Sequence, residues 1–413
     1  MSWLKRSVTA LLCLLLVLTT TVSASVVIID TESGETAEEL LSFEAPPSLS
    51  VKEEQEVIAD ATALNIGGKS AVLMDIATGT VLFEKNSHEK LPIASVTKIM
   101  TLLLVMEAIE AQAIDYDDPV TCSSVAASMG GSQIWLEEGE IMSVSDLIKA
   151  AAVVSANDAC AALAEHIAGS VEGFVERMNQ RAAELGMNDT HFLDCSGLND
   201  EAYSCAHDVA LMSCALMQHH AIQQYTTIWM DTLRDGKSQL VNTNKLIRFY
   251  EGATGLKTGT TAAAGHNLAA TAQRGGLELA AVILGCDTTN ERFGGARKLL
   301  DHGFANYTLY TPTINEQEWQ PVPVLRGVQD SVSPCVGDTK PLLVKKGEEK
   351  KIVQTIRFDE DVQAPVEQGQ VLGEIVLTLD EETLATYSIV ASQAVARLDF
   401  GASLQRLFKA LCG

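Results

Sequence analysis

GLKTGTTAAAGHNLAATAQRGGLELAAVILG, running from Gly255 to Gly285, is punctuated by glycine at each of its turns. It divides into GLKTGT, then HNLAATA after Gly265, then LELAAVILG after Gly275-Gly276, and these runs read as consecutive antiparallel strands. Far upstream, SAVLMD (Ser70–Asp75) and TVLFE (Thr80–Glu84) flank Ala77-Thr78-Gly79 and read as a β-hairpin. Helical spacing fills the interval. Ile99, Leu102, Leu103 and Met106 form one stripe, and a second helical pattern runs from Val144 to Ile167. A helix from about Asn290 to Asn306 closes the region. Strands, many helices, strands and a helix, in that order, predict an α+β fold: an antiparallel sheet covered by helices, with a helical insert and both ends of the segment contributing strands.

The 413 residues exceed one average domain, and 47% hydrophobic against 20% charged residues is the balance of a folded globular chain. After Pro312 the text changes to PVPVL, KPLLVKK, KIVQTIRF, GEIVLTL and TYSIVAS, separated by Gly, Pro or acidic turns. These predict a small all-β domain over 312–394, following a main domain over 61–310. At the N-terminus, Lys5 and Arg6 precede an apolar run from Val8 to Leu18, and Val22-Ser23-Ala24 supplies a small-x-small cleavage site, so residues 1–24 read as an export signal. Residues 25–60, rich in Glu and carrying Pro46-Pro47, read as an acidic leader. Within the tail, residues 396–413, Phe400, Leu404, Leu407, Phe408 and Leu411 share one helical face with Gln405, Arg406 and Lys409 opposite. That stretch is too short to span a bilayer, and its basic face predicts a helix lying on an anionic membrane surface.

Removing the signal moves the formal charge from −25 to −27. So acidic a chain, with no basic stripe, repels phosphate backbones, and nucleic acid is excluded as a partner. Eight cysteines remain (Cys122, Cys160, Cys195, Cys205, Cys214, Cys286, Cys335 and Cys412) without CxxC or CxxH spacing. They read as buried free thiols rather than a zinc site. No phosphate loop is present, and the reading calls for no metal or cofactor.

Three short strings carry the chemistry. S-x-x-K occurs at Ser2/Lys5, Ser87/Lys90 and Ser95/Lys98 and is weak alone, whereas S-x-N (Ser155–Asn157) and K-T-G (Lys257–Gly259) each occur once. Pro92-Ile93-Ala94 leads into a helix expected to begin near Ser95, with Lys98 one turn later on the same face. A serine hydroxyl is a weak nucleophile, and a lysine whose pKa is lowered by desolvation or positive neighbours can act as its base. Ser155 follows an apolar run in what reads as a buried turn, where its hydroxyl can relay a proton to a leaving amine while the Asn157 amide holds substrate backbone. A helix cap reinforced by Asp158 is the structural alternative. Lys257 and Thr258 lie in a strand between Gly255 and Gly259, where missing side chains admit a ligand; they suit a substrate carboxylate, with Lys257 also depressing the Lys98 pKa.

With IASVTKIMT, VVSANDAC and GLKTGTT in this order, residues from about 65 to 395 resemble the low-molecular-mass penicillin-binding proteins, the serine-type D-alanyl-D-alanine carboxypeptidases. The resemblance implies a β-lactamase/DD-peptidase-like fold and acylation of Ser95 by the penultimate D-alanine of a peptidoglycan stem peptide, with Lys98 as base. It further implies that Ser155 and Lys257 shuttle protons, that Asn157 positions substrate, that Thr258 helps bind the terminal carboxylate, and that the Ser95 and Thr260 amides form an oxyanion hole. β-Lactams would acylate Ser95 as covalent inhibitors, and the protein would work on the outer face of the cytoplasmic membrane. Some members carry histidine after K-T-G where this chain has Thr260. The motifs do not choose between water and an amine as acyl acceptor, so endopeptidase and transpeptidase activities stay open. A β-lactamase is disfavoured because no E-x-x-L-N string lies between Asn157 and Lys257, and a silent binding module is disfavoured by the intact Ser95, Lys98 and Lys257.

Overall fold

Gly275 and Gly276, at φ +57° and +88°, make the tight turn that joins the second and third strands of the Gly255–Gly285 stretch, a conformation that disfavours any residue with a side chain. The computed structural model describes residues 64–360 and 362–412; the expected export signal and acidic leader lie outside them. Strands β1 (Ser70–Asp75) and β2 (Val81–Lys85) form the N-terminal hairpin, and β3 (Ala253–Thr261), β4 (Gly265–Arg274) and β5 (Leu277–Cys286) form the later meander. The hairpin docks on the far side of the meander, with Val72 opposite Val282. The five strands lie in the order β2-β1-β5-β4-β3, all neighbours antiparallel, so β3 is an open edge. β1 is buried along its whole length, and β5 is buried at every position but Gly285. Strands so enclosed read as continuous apolar runs rather than alternating ones.

The helices between the strand groups are α1 (Lys98–Glu110), α2 (Val144–Val153), α3 (Asn157–Ala168), α4 (Val171–Glu184) and α5 (Ala206–Gln218), with α6 (Thr289–Asn306) following the sheet. Lys98 through Ala108 of α1 are all buried, as befits a helix that is apolar all round and enclosed by its neighbours. α4 buries only one stripe, Phe174, Met178, Arg181 and Ala182. Ser143 and Ser170 cap α2 and α4 by accepting the Asp146 and Gly173 amides, each cap contributing about 1 kcal/mol. The helical pattern from Val144 to Ile167 is two helices rather than one, because Ser155 turns into the left-handed region at φ +64°.

One compact unit runs through Gln273 and resumes over Glu278–Leu300, and the other takes Arg274–Leu277 and the chain from Asp301 onward. The second unit contains β6 (Pro334–Val336), β7 (Val353–Phe358), β8 (Val371–Leu379) and β9 (Glu382–Ala391) in the sheet order β6-β9-β8-β7. Ile375, Leu377, Tyr387 and Ile389 pack one apolar cluster of this unit. Its last helix, α7 (Phe400–Cys412), leaves Phe400, Leu404, Leu407, Phe408 and Leu411 exposed. Among the described residues no helix is long and apolar enough to cross a membrane. Seven described cysteines are free thiols, all buried except the partly buried Cys335.

Two glycines let the main chain close around the start of α1. A Cβ on Gly259 would stand 2.5 Å from the Ile93 carbonyl oxygen and 3.1 Å from the Ser95 nitrogen, so β3 approaches this segment only because that side chain is missing. A Cβ on Gly197, at φ +81°, would fall on the Ala94 carbonyl, whereas Gly139, at φ +83°, faces open space. Gly139→Ala should therefore cost only the left-handed penalty of about 1–2 kcal/mol, and Gly197→Ala should cost clearly more. Urea unfolding of the two variants checks this; equal losses would mean that the crowding at Ala94 relaxes freely.

Candidate active site

Ser95 lies in a single 3₁₀ turn, Ala94–Thr97, and Lys98 opens the α-helix behind it. The sequence pattern suggests a helix beginning at the serine; the tighter turn forms instead, and its three residues per turn bring positions i and i+3 into line. Lys98 Nζ is consequently 2.9 Å from Ser95 Oγ, 2.6 Å from Asn157 Oδ1 and 2.6 Å from the Ser196 carbonyl oxygen. The side chain is wholly buried, and desolvation pushes its pKa below the usual lysine value against the pull of nearby Asp194 and Asp158. The neighbouring Cys160 thiol is itself driven up to about 11 by burial, so it supplies no thiolate to hold the ammonium near neutrality. A neutral amine has two N–H donors and one lone pair. The three partners of Lys98 Nζ, two carbonyl-type oxygens and one hydroxyl oxygen, all accept from it; once deprotonated, the amine would turn its lone pair to the Ser95 hydroxyl.

Ser155 and Asn157 sit where α2 ends and α3 begins. Ser155 Oγ is buried and makes no hydrogen bond, an arrangement that costs on the order of 1–3 kcal/mol unless a ligand partners it. Asn157 donates its backbone N–H to the Ser132 carbonyl at 2.7 Å and its Nδ2 to the Gly130 carbonyl at 2.7 Å, which ties the 130–132 loop to the site. Asp158 is fully buried and acts as a clamp rather than as a helix cap: its carboxylate accepts the Ile134, Leu136 and Ala159 amides at 2.9–3.2 Å. The N-cap position itself is Ala156, whose side chain makes no capping bond.

Lys257, Thr258, Gly259 and Thr260 occupy the open edge strand β3. Lys257 is 1% exposed, and its Nζ donates to the Thr258 carbonyl at 3.0 Å. Burial holds its pKa well below the usual lysine range, with the Lys98 and Arg292 charges adding to the depression. Thr258 Oγ1 donates to Thr243 Oγ1 at 2.7 Å. Arg292 on α6, buried behind the strand, donates Nη1 to the Gly259 carbonyl (3.3 Å), Thr260 Oγ1 (3.1 Å) and the Asn267 carbonyl (3.2 Å).

All eight sequence-predicted residues thus come from the 3₁₀ turn and the first residue of α1, the α2–α3 junction and the β3 edge. Sequence reasoning does not find Asp158's clamp, Arg292, or the Asp194–Gly197 turn. Asp194 accepts the amides of Ser196, Gly197 and Asn199, aiming the Ser196 carbonyl at Lys98. The Asp-x-Ser-Gly order is a turn signal that could have marked this segment; Arg292 carries no local signal. For a metal, the one grouping among the described residues is His88, Asp189 and Cys205, with ligand atoms within 4.8 Å of one another. There Asp189 already pairs with His88 and Lys90, and Cys205 caps α5, which accounts for the grouping without an ion.

A serine hydroxyl beside a buried amine, a second hydroxyl without a partner among the described residues, and an edge strand bearing a second buried lysine are the kinds of group that acyl transfer uses. Comparison with known proteins gives the same answer. The D-alanyl-D-alanine carboxypeptidase family, Peptidase S11, matches residues 55–288, and the C-terminal domain of penicillin-binding protein 5 matches residues 307–397. D-alanyl-D-alanine carboxypeptidase DacF of Bacillus subtilis is 42% identical over 82% of this chain and 88% of its own length. Penicillin-binding protein 5 from Haemophilus influenzae superposes with a TM-score of 0.69 at 31% identity, covering 81% of this chain and 98% of that one. Penicillin-binding protein D2 from Listeria monocytogenes, in an ampicillin-bound form, superposes with a TM-score of 0.54 at 32% identity, over 58% of this chain and 99% of that one. From its motifs through its fold to its relatives, the chain belongs to the D-alanyl-D-alanine carboxypeptidase family.

Proposed function

We propose that this chain removes the terminal D-alanine from peptidoglycan stem peptides through an acyl-Ser95 intermediate. The observation that carries the reading is Lys98 Nζ, a wholly buried amine 2.9 Å from Ser95 Oγ whose pKa is lowered by burial. Ser95 Oγ attacks the carbonyl carbon of the penultimate D-alanine and its proton passes to Lys98. The oxyanion is held by the amides of Ser95 and Thr260, where each donor is worth about 10²–10³ in rate. The C–N bond then breaks, Ser155 relays a proton to the departing amine, and water hydrolyses the ester with Lys98 again as base. Lys257 and Thr258 bind the terminal carboxylate, with the Arg292 guanidinium holding the Gly259 carbonyl and the Thr260 hydroxyl and adding positive charge, while Asn157 positions the acyl portion. β-Lactams acylate the same serine, a reading supported by the ampicillin-bound relative.

We also infer that residues 1–24 direct export with cleavage after Ala24, that residues 25–60 link the signal to the catalytic domain over 61–310, and that α7 rests on an anionic membrane surface. The exposed Phe and Leu side chains of α7 support the last point, since an apolar helical face with no protein cover suits the acyl boundary of a bilayer.

Release of D-alanine from a peptide ending in D-Ala-D-Ala should vanish in Ser95→Ala, and labelling by a reporter penicillin should vanish with it while the unfolding midpoint is unchanged; labelling that persists would place the nucleophile elsewhere. Lys98→Arg, which cannot supply a free base, should lower the release rate by about 10²- to 10⁴-fold. Residues 25–413 should sediment with vesicles containing anionic phospholipid and residues 25–395 should not; equal sedimentation would refute the role given to α7.

A further inference from the structure

Glu107 has no part in the site described above, yet it is 5% exposed and one of its carboxylate oxygens, Oε2, has no hydrogen-bond partner among the described residues. Its other oxygen accepts Arg181 Nε at 2.8 Å, and the same guanidinium donates Nη1 to Glu184 at 3.0 Å. One buried cation is shared between two carboxylates. Burial drives the Glu107 carboxyl up to about 7 against the pull of Arg181, and Glu184 and Glu110 add repulsion in the same direction. A buried acceptor left unsatisfied carries the full cost of its lost hydration, so this oxygen calls for a donor that the described residues do not supply.

Glu107 and Arg181 stand in the wall of a cavity of about 420 Å³, a volume within the range of small-molecule sites. The cavity lies among α1, the end of α3, α4 and the chain that follows α1, and Leu104, Ala108, Ile114 and Ile167 give it an apolar lining. It is separate from the catalytic groups. Glu107 follows Lys98 by nine residues on α1, which is roughly 13.5 Å along the axis and, at about 100° per residue, the opposite face of the helix. His166 and Arg177 also line the cavity but are exposed, so water and salt screen their charges. With Arg181 already donating to both glutamates, the charge left over in the buried wall is negative, and it favours a cationic donor over an anion.

We propose that this cavity binds a small molecule with one ammonium head and an apolar body, the ammonium donating to Glu107 and the body lying against Leu104, Ala108, Ile114 and Ile167. The head supplies the donor that Oε2 lacks, and the body covers apolar surface that the fold leaves open. The site is a second one on the catalytic unit and takes no part in acyl transfer.

The test is calorimetric titration of residues 25–413 at pH 8 with 4-phenylbutylamine and with 4-phenylbutanoate, which share a body and differ in the charge of the head. The amine should bind at one site, and the carboxylate should bind at least about 10-fold more weakly, the size of a hydrogen bond to a charged group. Ala108→Leu, which fills the cavity and leaves Glu107 in place, should abolish binding of the amine. Glu107→Gln should bring the amine down to the level of the carboxylate. Labelling of Ser95 by a reporter penicillin checks that each variant is folded, and if Glu107→Gln fails to fold, Ala108→Leu decides the matter alone. No saturable binding of the amine by the wild type, equal affinity for the two heads, a folded Glu107→Gln variant that keeps the preference, or an Ala108→Leu variant that binds as the wild type does overturns the site.

Discussion

A lysine amine buried away from solvent is the constraint around which the catalytic unit is organised. Lys98 Nζ touches a hydroxyl, a side-chain amide oxygen and a backbone carbonyl. Keeping a full charge there would require desolvating an ammonium without an ion partner, which proteins avoid by neutralising the group. Lys98 in turn adds to the depression of the pKa of the second buried lysine, Lys257. Under the proposed function the same lowering serves the chemistry, since a free amine is the form that can take a proton from Ser95.

Much of the surrounding architecture follows from holding three acceptors around one nitrogen. The 3₁₀ turn brings Ser95 into line with Lys98, Asp194 aims the Ser196 carbonyl, and the α2–α3 break delivers Asn157. Ala94, Trp135 and Ser155 all have positive φ, at 50°, 59° and 64°; Ala94 precedes the first motif, Ser155 opens the second, and Trp135 lies in the segment that Asp158 holds. Each costs of order 1–3 kcal/mol, and such strain persists only where the structure around it over-determines the conformation. Here the over-determination is visible: Gly197 and Gly259 admit close backbone approach, and Asp158 collects amides from the 134–136 segment.

The sequence made the sheet legible because its turns are marked by glycine. Gly265 and Gly275-Gly276 separate β3, β4 and β5, and the Ala77-Thr78-Gly79 turn sets off β1 and β2. Ser95, Lys98 and the K-T-G edge could be singled out because each lies in a local string. What escaped was long-range. Arg292 meets Thr260 from 32 residues away, and the Ser196 carbonyl reaches Lys98 across 98 residues, separations that leave no mark on local periodicity. The break at Ser155 was marked only as a buried turn after an apolar run, and its left-handed backbone left no further trace, since such a serine looks like any other polar residue.

Direct titration of the base tests the central claim. The rate at which a reporter penicillin acylates Ser95 should rise with pH as Lys98 loses its proton, because only the free amine accepts the Ser95 proton. Burial lowers the Lys98 pKa, so the midpoint of that rise should fall well below the ordinary lysine value of about 10.4. A rate that keeps climbing to an unshifted lysine midpoint would contradict the account, because Lys98 would then be a charged structural residue and the base would have to be another group.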